Sequence, residues 1–351
     1  MVDLSFFKDK KVFLTGHTGF KGSWLSRILI NAGAELTGYA LSPPVEPNLF
    51  SICGIDKKMN SFIGDVRDKE HLFKIFKNAA PEIVIHMAAQ PLVRESYKEP
   101  VYTYETNVMG TVNLLECIRI YGTNVKSVLN VTTDKVYLNN EWYWGYREND
   151  PLDGFDPYSN SKSCSELVTH AYNNSFFRDA KIAISTARAG NVIGGGDFAI
   201  DRIIPDCIRA ASKNKKIIVR NPYSIRPYQH VLEPLFAYLM IAKKQHENRE
   251  YAGYYNVGPD DCDCITTGQL VDTFCKDWGG GQTWENQFQG GPYEANFLKL
   301  DCAKIKSVLD WNPKWNYTKA VEQTIEWTKA YLADSNICEI MDQQVIAFIN
   351  Y

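Results

Sequence analysis

The strongest chemical signal in this 351-residue chain is Tyr158-Ser-Asn-Ser-Lys162. Residues four apart lie on one face of a helix, so a phenol and an ammonium are expected side by side. The ammonium favours the phenolate, which lets Tyr158 act as a base below the phenol reference pKa of about 10. Upstream, an apolar run ends in Thr132-Thr133-Asp134-Lys135. A hydroxyl at Thr133 is placed to share a substrate oxygen with Tyr158. These are the groups needed to take the hydroxyl proton of an alcohol while its hydride leaves for a separate acceptor. Asp134 and Lys135 go further, because a plain dehydrogenase needs neither. Two proton-transfer groups beside a hydride site point to an elimination coupled to the redox step. The competing reading is a strand-end salt bridge or solvated charges.

A second constellation is Thr15-Gly-His-Thr-Gly-Phe-Lys-Gly22, between an opening β-rich run and a helical pattern. Gly16 permits a tight turn, Gly19 lets a pyrophosphate approach the backbone, and Gly22 lets the helix pack close. The helix N-terminus then offers free N–H groups to the phosphates. Thr18 and Phe20 belong to the same loop. His17 is expected to crowd the pyrophosphate and weaken cofactor binding. The second strand ends in Gly38-Tyr-Ala-Leu-Ser42, with neither acid nor Arg, which leaves NAD and NADP undecided. Asp65-Val66 follows the third strand. Asp65 either holds the adenine amine or caps the next helix.

These groups need a scaffold, and the pattern supplies one. Strands are expected at Lys11–Thr15, Glu35–Leu41, Ser61–Ile63, Glu82–Met87, Val125–Val131 and Ile182–Ala187. Helices are expected at Ser23–Asn31 (closed by Gly33), Lys69–Asn78, Val101–Tyr121 and Ser159–Phe177. Strands with continuous apolar centres, alternating with helices, imply a parallel sheet covered on both faces. The crossover rule makes it an α/β, doubly wound Rossmann sheet. After residue 188 the segments shorten and fill with Gly, Pro and aromatics, as for a smaller C-terminal α/β lobe. The division expected is 1–187, with about 228–257 returning to the first domain, and 188–351 mainly lobe.

Composition narrows the partners. The net charge is -3 with both signs dispersed, which argues against nucleic acid. No apolar run is long enough to span a membrane, and the first residues carry no signal-peptide pattern. The nine cysteines are odd in number and scattered. They form no zinc set, so no metal is expected, and they read as reduced thiols of a cytoplasmic protein.

The chain resembles the CDP-glucose 4,6-dehydratases, a branch of the extended short-chain dehydrogenases. The matching stretches are Thr15-Gly-His-Thr-Gly-Phe-Lys-Gly-Ser-Trp24, His86-Met-Ala-Ala-Gln-Pro91, Thr133-Asp-Lys-Val-Tyr137, Gly145-Tyr-Arg-Glu-Asn-Asp-Pro151, Asp156-Pro-Tyr-Ser-Asn-Ser-Lys162, Arg188-Ala-Gly-Asn-Val-Ile-Gly-Gly-Gly-Asp197 and Arg226-Pro-Tyr-Gln-His230. The Thr-Asp-Lys triplet is the most telling, because related dTDP- and GDP-sugar dehydratases carry Thr-Asp-Glu there. Phe198 and Tyr228 stand where the family often has Trp, and Leu138 where it usually has an acid.

The resemblance implies an NAD-dependent lyase acting on CDP-glucose. Tyr158 would take the 4-hydroxyl proton, Thr133 would hold that oxygen, and Lys162 would lower the Tyr pKa and hold the nicotinamide ribose. Lys135 would help remove the C5 hydrogen and Asp134 would protonate the leaving 6-hydroxyl. A Lys near its reference pKa of about 10.4 is a poor base at neutral pH, so Lys135 must be partly neutral or must stabilise an enolate. Ala88, Ala89, Gln90 and Asn107 would line the cofactor. Arg94 and Tyr293 would meet the substrate, and Asn191, Arg202, Arg220 and Arg226 would approach its pyrophosphate. His230 reads as a buried, hydrogen-bonded histidine. Trp142, Trp144 and Tyr146 form either a lid or a loop anchor. A homodimer or tetramer is expected, with a role in deoxysugar supply for a bacterial surface polysaccharide. The alternatives are a nucleotide-sugar 4-epimerase or reductase, a dehydratase for another nucleotide hexose, and a non-enzymatic dinucleotide sensor.

Overall fold

The computed structural model describes residues 2–287 and 295–351. Seven parallel strands form the central sheet: β1 Lys11–Thr15, β2 Glu35–Ala40, β3 Asn60–Ile63, β4 Ile83–His86, β5 Ser127–Val131, β6 Ala183–Ala189 and β7 Tyr254–Val257. Their order is β7-β6-β5-β4-β1-β2-β3. The continuous apolar runs are explained by the two cores they feed. Val12, Leu14, Ile83, Ile85 and Leu129 enter one core, while Phe13, Val84 and Val128 enter the other. Alternate residues of a strand point to opposite faces, so a sheet covered twice needs both sets apolar. Helices α1 Phe20–Asn31 and α5 Leu232–Glu247 supply the first core. Helices α2 Lys69–Ala79 and α3 Gly110–Tyr121 supply the second.

The chain reverses its order of laying strands between β1 and β4, which lie side by side with Thr15 opposite His86. Such a switch point opens a crevice beyond the strands' carboxyl ends. The glycine loop leaves β1 there, and Met87–Gln90 leaves β4 there.

Two long helices differ from the sequence expectation. The stretch from Pro100 to Tyr121 is interrupted by a wider π-type turn at Glu105–Met109. Asn107 lies inside it and is tied to two neighbouring segments, the kind of outside demand that accompanies such turns. Helix α4, Pro157–Tyr172, begins two residues early because Asp156 accepts from Ser159 N at 3.0 Å and Pro157 takes the first helical position. Gly33 adopts φ +81 just past α1, as a helix-closing glycine should.

A third apolar cluster, with Ile204, Cys207, Ile217, Leu270, Phe274 and Ile325, lies beyond the sheet. It carries two-stranded pieces, Ile217–Val219 with Trp284–Asn286 and Ile225–Pro227 with Cys264–Thr266. No helix among the described residues is long and apolar enough to cross a membrane. Tyr293 lies outside the described residues.

Candidate active site

The glycine loop is built as its spacing requires. Gly16 sits at φ +79, and a Cβ there would lie 2.8 Å from Ala88 N. A Cβ on Gly22 would lie 2.0 Å from Gly16 O, so α1 packs directly on the turn. Gly19 is different: its nearest protein neighbour would be 3.6 Å away. The protein's own packing does not demand glycine at 19, and a ligand approaching the first turn of α1 does. Gly19 also caps that helix without a side-chain hydrogen bond, leaving the N–H groups for an anion. These residues fit a dinucleotide pyrophosphate.

The neighbouring residues divide. Ala88 and Ala89 are half-buried at the crevice. Gln90 spends its side chain on Leu92 and Thr103. Asn107 joins Gln90 O and N to Ser161 Oγ at 2.8–3.1 Å, tying the loop after β4 to α4. Thr18 donates to Leu41 O at 2.8 Å. Val66 is buried against Gly110, where a Cβ would come within 2.6 Å. His17 corrects the expectation of crowding. Its ring packs on Gly38 and Phe50 and its Nε2 meets Ser61 Oγ at 2.7 Å. Burial pulls its pKa down to about 4. Asp65 does not cap α2; Asp68 does, accepting from His71 N. Asp65 instead pairs with Arg67 at 2.7 Å.

A cleft of about 560 Å³ lies where the ends of β5 and β6 face the lobe. It gathers Thr133, Asp134, Lys135, Tyr158, Arg94, Asn191, Arg202, Arg220 and Arg226, which are spread over some 130 residues of sequence. Tyr158 and Thr133 both line this cleft. Thr133 Oγ1 donates to Asp134 Oδ1 at 2.9 Å, and Lys135 Nζ lies 3.7 Å from that same oxygen. Asp134 is buried, and its second oxygen has no hydrogen-bond partner among the described residues; neither has Asn191 Oδ1. Two orphaned acceptors beside a cleft call for a ligand with hydroxyl donors.

Lys162 does not line the cleft. Its Nζ donates to Val131 O at 3.1 Å, and burial, with the charge of Lys21, pulls its pKa to about 7. Burial dominates and pushes Tyr158 up to about 12, against the opposing effect of Thr133. His230 is buried as expected and accepts from Leu232 N. Tyr146 stacks on Tyr137 and Trp142, and none of Trp142, Trp144 and Tyr146 lines the cleft. Tyr146 anchors this loop, while Trp144 at its tip is exposed.

Sequence reasoning missed several residues. Lys21 lines the cleft, with its pKa lowered to about 8 by burial and then by Arg202. Its position inside the glycine loop was the available signal. Glu166 is buried on α4, one turn beyond Lys162. It accepts from Thr132 at 2.5 Å, Thr186 at 2.7 Å and Arg188 at 2.9 Å. Its spacing of four from Lys162 was visible; its three partners were not.

The model of the GDP-mannose 4,6-dehydratase family matches residues 13–324. The chain belongs to this dehydratase family. A CDP-glucose 4,6-dehydratase of Salmonella typhimurium is 50% identical over 346 residues, covering 96% of each chain. Among solved structures, a Thermus thermophilus UDP-glucose 4-epimerase in complex with NAD superposes with a TM-score of 0.79 at 24% identity, covering 91% of this chain and 98% of that one. A Bacillus anthracis dTDP-glucose 4,6-dehydratase in complex with NAD gives 0.76 at 22% identity, covering 93% and 99%. At these identities the structural likeness shows the family's shared fold. The nine cysteines are free, and no group of three metal-ligating side chains occurs among the described residues.

Proposed function

We propose that the chain catalyses NAD-dependent 4,6-dehydration of CDP-glucose to CDP-4-keto-6-deoxyglucose. The observation that carries this is the convergence of Tyr158, Thr133, Asp134 and Lys135 at one cleft with four arginines. The orphaned acceptors suit sugar hydroxyls, and the guanidinium forks suit phosphate oxygens. The 50% identical relative supports cytidine as the base.

NAD, when held by the glycine loop, would supply an acceptor for the C4 hydride and would give it back at C6, with the proton taken from C5 restored to C5. Tyr158 takes the proton of the 4-hydroxyl, whose oxygen Thr133 holds. A C4 ketone acidifies the C5 hydrogen, and Lys135 removes it. Asp134 protonates the departing 6-hydroxyl, and water leaves. A 4-epimerase leaves Asp134 and Lys135 without a task. A cytoplasmic homodimer or tetramer serving deoxysugar supply belongs to the same reading.

The test is incubation with NAD and, separately, CDP-, dTDP-, GDP- and UDP-glucose. Alkaline absorbance follows the 4-keto-6-deoxy product, and mass confirms loss of water. Product from CDP-glucose alone is expected. Product from another nucleotide replaces the substrate assignment, and a changed sugar that keeps its water overturns the dehydratase.

A further inference from the structure

We infer that Asp201 is an internal anion seated on the arginines that receive the substrate diphosphate, and that it raises the threshold for ligand entry. This rests on the diphosphate reading above. One oxygen of Asp201 lies 2.7 Å from Arg220 and 3.9 Å from Arg94, and all three residues line the cleft. A carboxylate between two guanidiniums reproduces what a bridging phosphate oxygen does there.

The two acids flanking this turn differ. Asp197 is buried, holds Arg202 at 3.0 Å, and is fixed by the amide of Ala199 at 3.1 Å. Asp201 is 45% exposed and stands at φ +60, in the left-handed region that Asp tolerates better than most residues. Ion pairs at such exposure contribute about 0–1 kcal/mol each. A diphosphate, which brings two charged groups to the same arginines, therefore displaces Asp201, while a ligand with a single phosphate competes less well. Arg94, Arg220 and Lys98 face the Asp201 carboxylate, with Asp206 as a nearby like charge.

The experiment is calorimetric titration of CDP and of inorganic pyrophosphate into the full-length wild type, Asp201→Asn and Asp206→Asn. Asn is isosteric and also accepts left-handed turns, so the fold is retained. Asp206 lines the same cleft but pairs with Arg209, which makes it the control for a general change of charge. Asp201→Asn is expected to tighten both probes by roughly threefold to tenfold, as loss of weak pairs implies. Asp206→Asn is expected to change them by less than about twofold. Equal gains in the two variants overturn the proposal in favour of a diffuse field. Unchanged or weaker binding in Asp201→Asn overturns it outright. Failure of wild type to bind either probe overturns the diphosphate reading and the internal anion together.

Discussion

Glu166 and Arg188 meet at 2.9 Å with neither side chain exposed to solvent. Glu166 sits on the helix that carries Tyr158 and Lys162, and Arg188 sits on β6, so the pair joins that helix to the sheet. Tyr137 extends it, accepting from Arg188 at 2.8 Å and donating to Asn256 at 2.6 Å. Removing one partner leaves a buried charge alone. Arg188→Met is expected to lose about 3–5 kcal/mol of stability in urea unfolding. The double variant Glu166→Gln, Arg188→Met should recover part of that loss. A double-variant loss equal to the sum of the two single-variant losses would show that the pairing contributes nothing.

The glycine loop separates two roles that a motif alone merges. A methyl on Gly22 collides with Gly16 O, whereas one on Gly19 meets no protein atom closer than 3.6 Å. Gly19→Ala should therefore melt near the wild-type temperature yet bind NAD at least about tenfold more weakly, the effect of blocking one close approach. Gly22→Ala should lose stability and NAD binding together. Thermal melting with and without NAD distinguishes the two.

Acid should unfold the protein early. Burial depresses His17 to about 4 and both His86 and His230 to about 3. In the unfolded chain each titrates near its reference value of about 6.5. The unfolded state therefore binds more protons as pH falls below that value, and stability present above it is lost toward the folded values. Lys162, depressed to about 7, acts in the same direction at higher pH, because stability rises as pH climbs from there toward its reference of about 10.4. A melting temperature that is flat from neutral pH down to about 4 would contradict this.

Lys135 is 29% exposed and lies 3.7 Å from Asp134, so its substitution should spare the fold. Lys135→Met is expected to cut dehydration by roughly 10²–10⁴, the usual worth of a positioned proton-transfer group. It should also abolish exchange of the C5 hydrogen with deuterated solvent while leaving oxidation at C4. If Lys135→Arg keeps the wild-type pH–rate profile, Lys135 stabilises charge instead of carrying the proton.

Much of the fold was legible because a twice-covered parallel sheet imposes a local rule: every strand residue faces a core. That rule marked five of the seven strands to within two residues; β3 is largely exposed and was marked by the Gly64-Asp65 break that follows it. For the seventh, Tyr254–Val257, only the return of about 228–257 to the first domain was expected; its place as the edge strand beside β6 depends on a partner 68 residues upstream in sequence. The π-type turn at Glu105–Met109 was illegible for a similar reason. It answers to Gln90 and Ser161, which lie outside any local window.

The site divides along the same line. Glycine spacing, the Tyr158–Lys162 interval and the Thr133-Asp134-Lys135 run are local patterns, and residue type and separation were enough to read them. The direction of His17, the cap at Asp68 in place of Asp65, the raised Tyr158 and the hidden Glu166 depend on burial and on partners from distant segments. Desolvation and hydrogen bonding are properties of the packed environment, so the chain's order of residues carries the groups, and only their assembly around the cleft sets their charge and aim.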